Sequence, residues 1–297
     1  MPSLLLHMAA VERLAADETG LPAEISRALR EDVEYARLGA ALADLPEYGG
    51  FRGKLSPLFP ARESPRFARL FHGRAPVAMG LKMAELVANG ALVGTEPGLA
   101  FVSGYFNHVC LDRRLNPLVD RLVARHRRSG EDERAARRRI DWTQALFYVR
   151  ELHGTELLGN PLIRAKFQVL KRPGLPTRGI GRGLFELVRL SAQETLGAAP
   201  TKAEVDSWIR GLYFQGLFLA SPMGRLRALP SYTSLALREL YQAADFDVAA
   251  EVDGALATAR QLLGALSSMI RRGAFSPRAR GRFLGEFPEG SIESTAA

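Results

Sequence analysis

Seven side chains able to hold a metal or move a proton lie in or beside helical stretches of this sequence: His7, Asp44, His72, His108, Asp112, His153 and Glu156. His108 and Asp112 stand four residues apart in FNHVCLDRRLNP. On a helix they project from one face, one turn apart. Such a pair either forms a local hydrogen bond or offers two ligands to one cation. His153 and Glu156 are three apart and share a face in the same way. His7 lies in the apolar run LLLHMAAV. Asp44 closes a helix in ALADLPEYGG, where Pro46 and Gly49-Gly50 force a turn. His72 opens a helix after Pro65. Nitrogen and carboxylate ligands converging from several helices are how helical bundles build metal sites, and zinc accepts both types.

Each residue also has a plainer role. A histidine in an apolar helix is commonly a core residue with one hydrogen bond. Asp44 before Leu-Pro can simply close the turn. His153-Gly154 reads as a helix C-terminus, where a histidine complements the dipole. His126, set among Arg125, Arg127 and Arg128, reads as a surface residue. The single cysteine, Cys110, faces away from His108 and Asp112 by helical phase and reads as packing.

The elements that must position these groups are helical. Apolar residues recur at three- and four-residue spacing in LLLHMAAVERLAA, ISRALREDVEYARLGAALADL and HGRAPVAMGLKMAELVANGAL. The same spacing runs through GLAFVSGYFNHVCLDRRLNPLVDRLVARH, IDWTQALFYVRELHG and PLIRAKFQVL. Alternating β-branched runs are almost absent, so the expected class is an all-α multi-helix bundle. A helical core is expected over residues 1–170 and a Pro/Gly-rich connection over 171–183. C-terminal helices over 184–273 should pack on that core, and a loose tail is expected over 274–297. Within the C-terminal region the pattern predicts helices at 184–196, 202–219, 233–243 and 248–271. Thr201 with Glu204 fits a capping box. GIGRG at 179–183 follows no strand, so a dinucleotide site is not indicated. All five histidines precede residue 170, which confines histidine chemistry to the first part.

With 297 residues the chain can bury a substantial core. One cysteine excludes a disulfide scaffold. MPSLLLHMAAVERLAADE lacks the basic start and the apolar length of a signal peptide. No stretch approaches the roughly 20 apolar residues of a membrane span. The expectation is a soluble, cytoplasmic protein. The net charge is +8, with arginines at 113, 114, 121, 125, 127 and 128 and again at 134 and 137–139. That balance favours anionic partners as a field effect. The clusters themselves read as a solvated helix face plus a loop. No helix-turn-helix or stacking signature stands out, so nucleic acid rests on charge alone.

The order of the ligand types carries a resemblance. A helix-borne His near the start precedes Asp-Leu-Pro after a small-residue helix. A further His follows, and then Gly104-Tyr105, His108 and Asp112 in one apolar helix. Over about residues 1–170 this resembles the zinc-dependent phospholipase C family, above all its uncharacterised bacterial members. The resemblance implies an all-α phospholipase C/P1-nuclease-like core holding up to three zinc ions. It implies that Asp44, His72, His108 and Asp112 form one metal position. Asp112 would bridge to a second metal held by His7, and His153 with Glu156 would supply ligands to a further position. It implies attack of metal-activated water on phosphorus, with Asp44 as a general base and the arginines near 113–128 beside an anionic substrate.

Three departures stand against that pattern, one being the spacing of three between His153 and Glu156 where the family has four. Asn116 occupies the place of a histidine ligand, and asparagine is a poor zinc ligand. His7 is preceded by six residues, so the N-terminal amine ligand of secreted relatives is expected to be missing. Two functions follow. One is a zinc-dependent phosphoesterase acting on a phosphodiester or phospholipid. The other is a non-catalytic helical descendant with a partial metal site, binding a partner or an anionic membrane surface.

Overall fold

The computed structural model describes residues 4–17, 19–50, 66–90, 92–155, 158–167, 180–226 and 235–290. The chain is all-α. In order come α1 (Leu4–Ala16), α2 (Ala23–Glu31), α3 (Val33–Ala41) and a short 3-10 turn (Leu45–Tyr48). Then follow α4 (Arg66–Gly73), α5 (Pro76–Ala88), α6 (Thr95–His126), α7 (Glu133–His153) and α8 (Pro161–Phe167). The remainder holds α9 (Arg182–Leu196), α10 (Lys202–Leu219), a helical turn α11 (222–226) and α12 (Leu235–Arg238). A two-stranded hairpin of β1 (Gln242–Ala243) and β2 (Phe246–Asp247) leads to α13 (Val248–Arg271) and α14 (Pro277–Glu286).

Helix α6 is the axis of the fold. Every residue from Gly98 to Asp112 is buried, the pattern of a helix surrounded on all sides. Beyond Asp112 burial narrows to Leu115, Asn116, Leu118, Val119, Leu122 and Val123, the one-sided stripe of a surface helix. Pro117 sits inside the helix at that change, where it cannot donate to the carbonyl of Arg113. Helices α1, α2, α3, α5, α7 and α13 all pack on α6. The closest approach is to α3. A methyl group on Gly104 would lie 1.9 Å from the Ala36 carbonyl oxygen, and one on Gly39 would lie 1.9 Å from that of Phe101. Two opposed glycines thus let the backbones touch where any side chain would hold them apart.

Several boundaries differ from those the sequence predicts. The stretch from 25 to 45 is two helices, divided at Asp32, whose backbone leaves the helical region (φ −121°, ψ 40°). His72 does not open a helix; it lies in the last turn of α4. The break follows because Ala75 precedes Pro76 and takes an extended φ of −146°, as a residue before proline does. Helix α7 begins at Glu133, capped by the Asp132 side chain on the Ala135 amide. Arg134 and Arg137 to Arg139 are therefore helical, not in a loop. The helix expected at 233–243 is only Leu235–Arg238 followed by the hairpin. The segment expected to be loose carries α14, which buries Phe283 and Phe287 and caps α5 through Glu289 on the amides of Val77 and Ala78. The α10 and α13 boundaries agree with the pattern, and the Thr201–Glu204 capping box is present. Residues 171–179 of the Pro/Gly-rich connection lie outside the described residues.

The C-terminal helices belong to one core with the rest, continuous from Leu4 to Phe287. Helix α9 packs on α5, and α10 on both α8 and the 3-10 turn. A methyl on Gly211 of α10 would lie 1.9 Å from the Tyr48 carbonyl oxygen. Trp208, one turn earlier, packs against Phe67 and Phe71 of α4, with ring centres 5.7 and 6.4 Å away. Helix α10 therefore props the two segments that present Asp44 and His72. No helix among the described residues is long and apolar enough to cross a membrane.

Candidate metal centre

Five of the seven candidate side chains meet in the core. His7 comes from α1, Asp44 from just before the 3-10 turn, His72 from the end of α4, and His108 with Asp112 from α6. All five are at most 3% exposed. His153 is elsewhere, exposed at the end of α7, with its Nε2 4.0 Å from Glu12. Its partner in the expected pair, Glu156, lies outside the described residues. The structure thus does not place His153 with the cluster, because α7 meets α1 one and a half turns beyond His7, at Glu12.

Hydrogen bonds fix what the rings can offer. His72 Nδ1 lies 2.7 Å from the Ala68 carbonyl oxygen, and His108 Nδ1 lies 2.8 Å from that of Ala40. A carbonyl only accepts, so each Nδ1 carries the proton and donates. The Nε2 of each neutral ring is then a bare lone pair, the tautomer that binds metal. The two Nε2 atoms are 3.3 Å apart. His72 Nε2 is 3.3 Å from Asp44 Oδ1 and 3.5 Å from Asp112 Oδ2, and His108 Nε2 is 3.3 Å from Asp112 Oδ2. Four atoms bonded tetrahedrally to one zinc at about 2.0–2.1 Å stand about 3.3–3.4 Å from one another. The four separations just given, 3.3 to 3.5 Å, lie at or near that spacing.

His7 adds a fifth side chain on the other side of the carboxylates. Its Nε2 is 3.2 Å from Asp112 Oδ1 and 4.0 Å from Asp44 Oδ2. Each carboxylate so directs one oxygen toward the His72–His108 pair and the other toward His7. The His7 ring stacks on His108 at 3.9 Å. Neither nitrogen of His7, neither oxygen of Asp112, nor Oδ1 of Asp44 has a hydrogen-bond partner among the described residues. Buried polar atoms are normally satisfied, and here two carboxylates and three imidazoles converge with no fixed cation among them. The residues fit a divalent cation. His7, His108 and Asp112 form one ligand group and Asp44, His72 and His108 another.

The electrostatics of the metal-free cluster agree. Burial would raise Asp112, yet His108 and His7 hold it well below the usual carboxylate range. Asp44 is likewise opposed by burial but lowered by His72 and His108. Burial disfavours charge on His108, but Asp112 and Asp44 outweigh it and push its pKa up to about 9. Burial and the neighbouring His108 lower His7. The site thus demands positive charge and supplies it to itself only as a proton.

One turn further along α6 the surroundings change. Arg137 Nη2 donates to Asn116 Oδ1 at 2.8 Å, and Nη1 pairs with Asp120. Burial pushes the nearby Asp141 carboxyl up to about 6, with Arg137 drawing it down and the charge of Asp112 adding to the rise. Spacing does not reveal Asp141, since IDWTQ offers no second ligand at helical distance. Its burial next to Asp112 appears only once α7 packs on α6. Elsewhere the arginines are largely engaged by carboxylates: Arg114 with Glu251, Arg125 with Asp245, Arg127 with Glu133 and Arg139 with Glu131. No family profile, curated protein or solved structure matches the chain.

Proposed function

We propose that this chain is a metal-dependent phosphoesterase with a two-position His/Asp centre, of the phospholipase C type that its ligand order resembles. The observation that carries the reading is the division of Asp44 and Asp112. Each points one oxygen to the His72–His108 side and one to His7. Carboxylates shared between adjoining cation positions suit hydrolytic two-metal chemistry better than a single structural ion. Bound there, divalent cations supply Lewis-acid polarisation of a phosphoryl oxygen and make water a better nucleophile at neutral pH. Asp112 holds the two positions together. Ala40 and Ala68 fix the His108 and His72 rings through their Nδ1 protons. Asp44 is the group placed to accept a proton on the His7 side. Zinc fits the mixed nitrogen and oxygen donors and their spacing.

A second reading, an inert metal centre that only braces the helices, is favoured by burial: none of the five ligands exceeds 3% exposure. Metal analysis of the purified protein and hydrolysis of bis(p-nitrophenyl) phosphate separate the two. Two zinc equivalents, with activity lost in His108→Ala, support the phosphoesterase. One or two equivalents with no hydrolysis, and a melting temperature that drops on chelation, identify the brace. A chain that takes up no metal and ignores chelation is neither.

A further inference from the structure

Among the described residues, four large apolar side chains stand well out into solvent: Leu152, Leu162, Met223 and Leu226, at 37, 58, 49 and 62% exposure. Each lies within three residues, along the chain, of one that lines a single recess of about 420 Å³, whose lining includes Thr155, Asn160, Pro161 and Arg225. Leu162 follows Pro161, Met223 and Leu226 flank Arg225, and Leu152 stands three residues before Thr155. The Gly159 amide donates to the Leu219 carbonyl at 2.8 Å, and Gly159 lies flat against the Arg225 stem. These contacts tie the segment before α8 to the end of α10 and to α11. Cations are interleaved with the apolar residues. Arg225 is exposed inside the set, and Arg164, also exposed, stacks 5.9 Å over the Tyr213 ring.

We propose that this face docks on an anionic phospholipid bilayer, with Leu162, Met223 and Leu226 entering the interface and a lipid phosphate seated in the recess at Arg225. Charge complementarity selects this occupant. A chain of net charge +8 places arginines between isolated aliphatic tips, the composition of interfacial anchors on acidic lipid. The four tips expose less apolar surface than the roughly 800 Å² that each partner buries in a stable dimer. Protein interfaces also gather their apolar residues into a core and deplete it of charge, whereas here the cations stand among them. The surface goes beyond the phosphoesterase reading and needs no metal.

Sedimentation of the whole chain with vesicles tests it. Pure phosphatidylcholine vesicles are compared with vesicles containing about one third phosphatidylglycerol. Binding is expected only to the latter, weakening with salt. Leu162→Ser/Leu226→Ser and, separately, Arg225→Glu should each lower the apparent affinity about tenfold or more, with melting temperatures unchanged because the sites are exposed. Chelated protein should bind as well as untreated protein, so failure of the metal reading leaves this result standing. Equal binding to both vesicle types overturns the proposal. So does wild-type affinity in the double serine variant. Arg127→Glu/Arg128→Glu costing as much as Arg225→Glu would show bulk charge alone and overturn it too. Light scattering that finds a dimer dissociated by the serine pair would assign the face to a second copy of the chain.

Discussion

At His108 and Asp112, α6 carries metal-ligating groups that no fixed side-chain cation matches. At Asn116 and Asp120, one and two turns further, it carries acceptors already matched by a fixed cation, the guanidinium of Arg137. Both clusters are withdrawn from solvent on one helix, yet they balance charge in opposite ways. The first leaves its positive charge to come from outside, as metal or proton. The second has it bonded into α7. An arginine costs the fold nothing in metal supply but closes the position to exchange. A helix can therefore keep one ligand site and lose its neighbour through a single pairing, with little change in backbone or packing.

The largest test of that contrast is Asp112→Ala. Both positions share this carboxylate, so metal affinity should fall by more than about 100-fold and bound metal should vanish in elemental analysis. Retention of one equivalent would show that the positions are independent. Gly104→Ala comes next. The new methyl forces α3 from α6 and pulls the Ala40 carbonyl from His108. Loss of such an orienting bond lowers metal affinity about 10- to 100-fold, measurable by chelator competition. An unchanged affinity would mean that the helix contact does not set the ring.

A third prediction concerns pH. In the metal-free protein, the His108 pKa raised from 6.5 to about 9 contributes stability fully present below about pH 6.5 and lost as pH rises through about 9. Asp112, held low, contributes stability that is lost as pH falls below the ordinary carboxylate range. Metal inverts the first dependence, because it must displace the His108 proton. Affinity should climb about tenfold per pH unit up to about pH 9, as calorimetry at pH 6, 7 and 8 would show. A flat profile would remove His108 from the ligand set. At the matched cluster, Arg137→Ala leaves Asp120 without its cation and should cost about 2–3 kcal/mol of stability. Metal content should be unchanged. If denaturant unfolding shows that cost and metal is lost as well, the clusters are one network. The smallest effect is expected for Trp208→Phe, about 1 kcal/mol or less, with a modest weakening of metal binding through the Asp44 turn.

Much of this was legible in sequence. The 3.6-residue period located α6, α10 and α13, and the order of His7, Asp44, His72, His108 and Asp112 named side chains that do meet. Local spacing was enough for His108 and Asp112, one turn apart on a helix, whereas His7, Asp44 and His72 joined them only through the resemblance in ligand order. What escaped depends on contacts distant in sequence. His153 sits at a helix end as expected, but only packing could show that it faces Glu12. Arg137 read as one of several solvated arginines until α7 brought it to Asn116 and Asp120. Asp141 carried no spacing signal at all. The tail from residue 274 is polar enough to look loose, yet over 274–290 two phenylalanines and one capping glutamate hold it; residues 291–297 lie outside the described residues.

The contact of Gly211 with Tyr48 sets an order of events. All five donors lie before residue 113, so the emerging chain carries the whole ligand set long before α10 is made. Until α10 arrives, the turn bearing Asp44 and the end of α4 bearing His72 lack the Gly211 and Trp208 contacts that brace them. A fragment ending near residue 170 would carry all five clustered side chains without the brace of α10. If the cluster takes up metal, the second half of the chain would then decide when in synthesis it can do so.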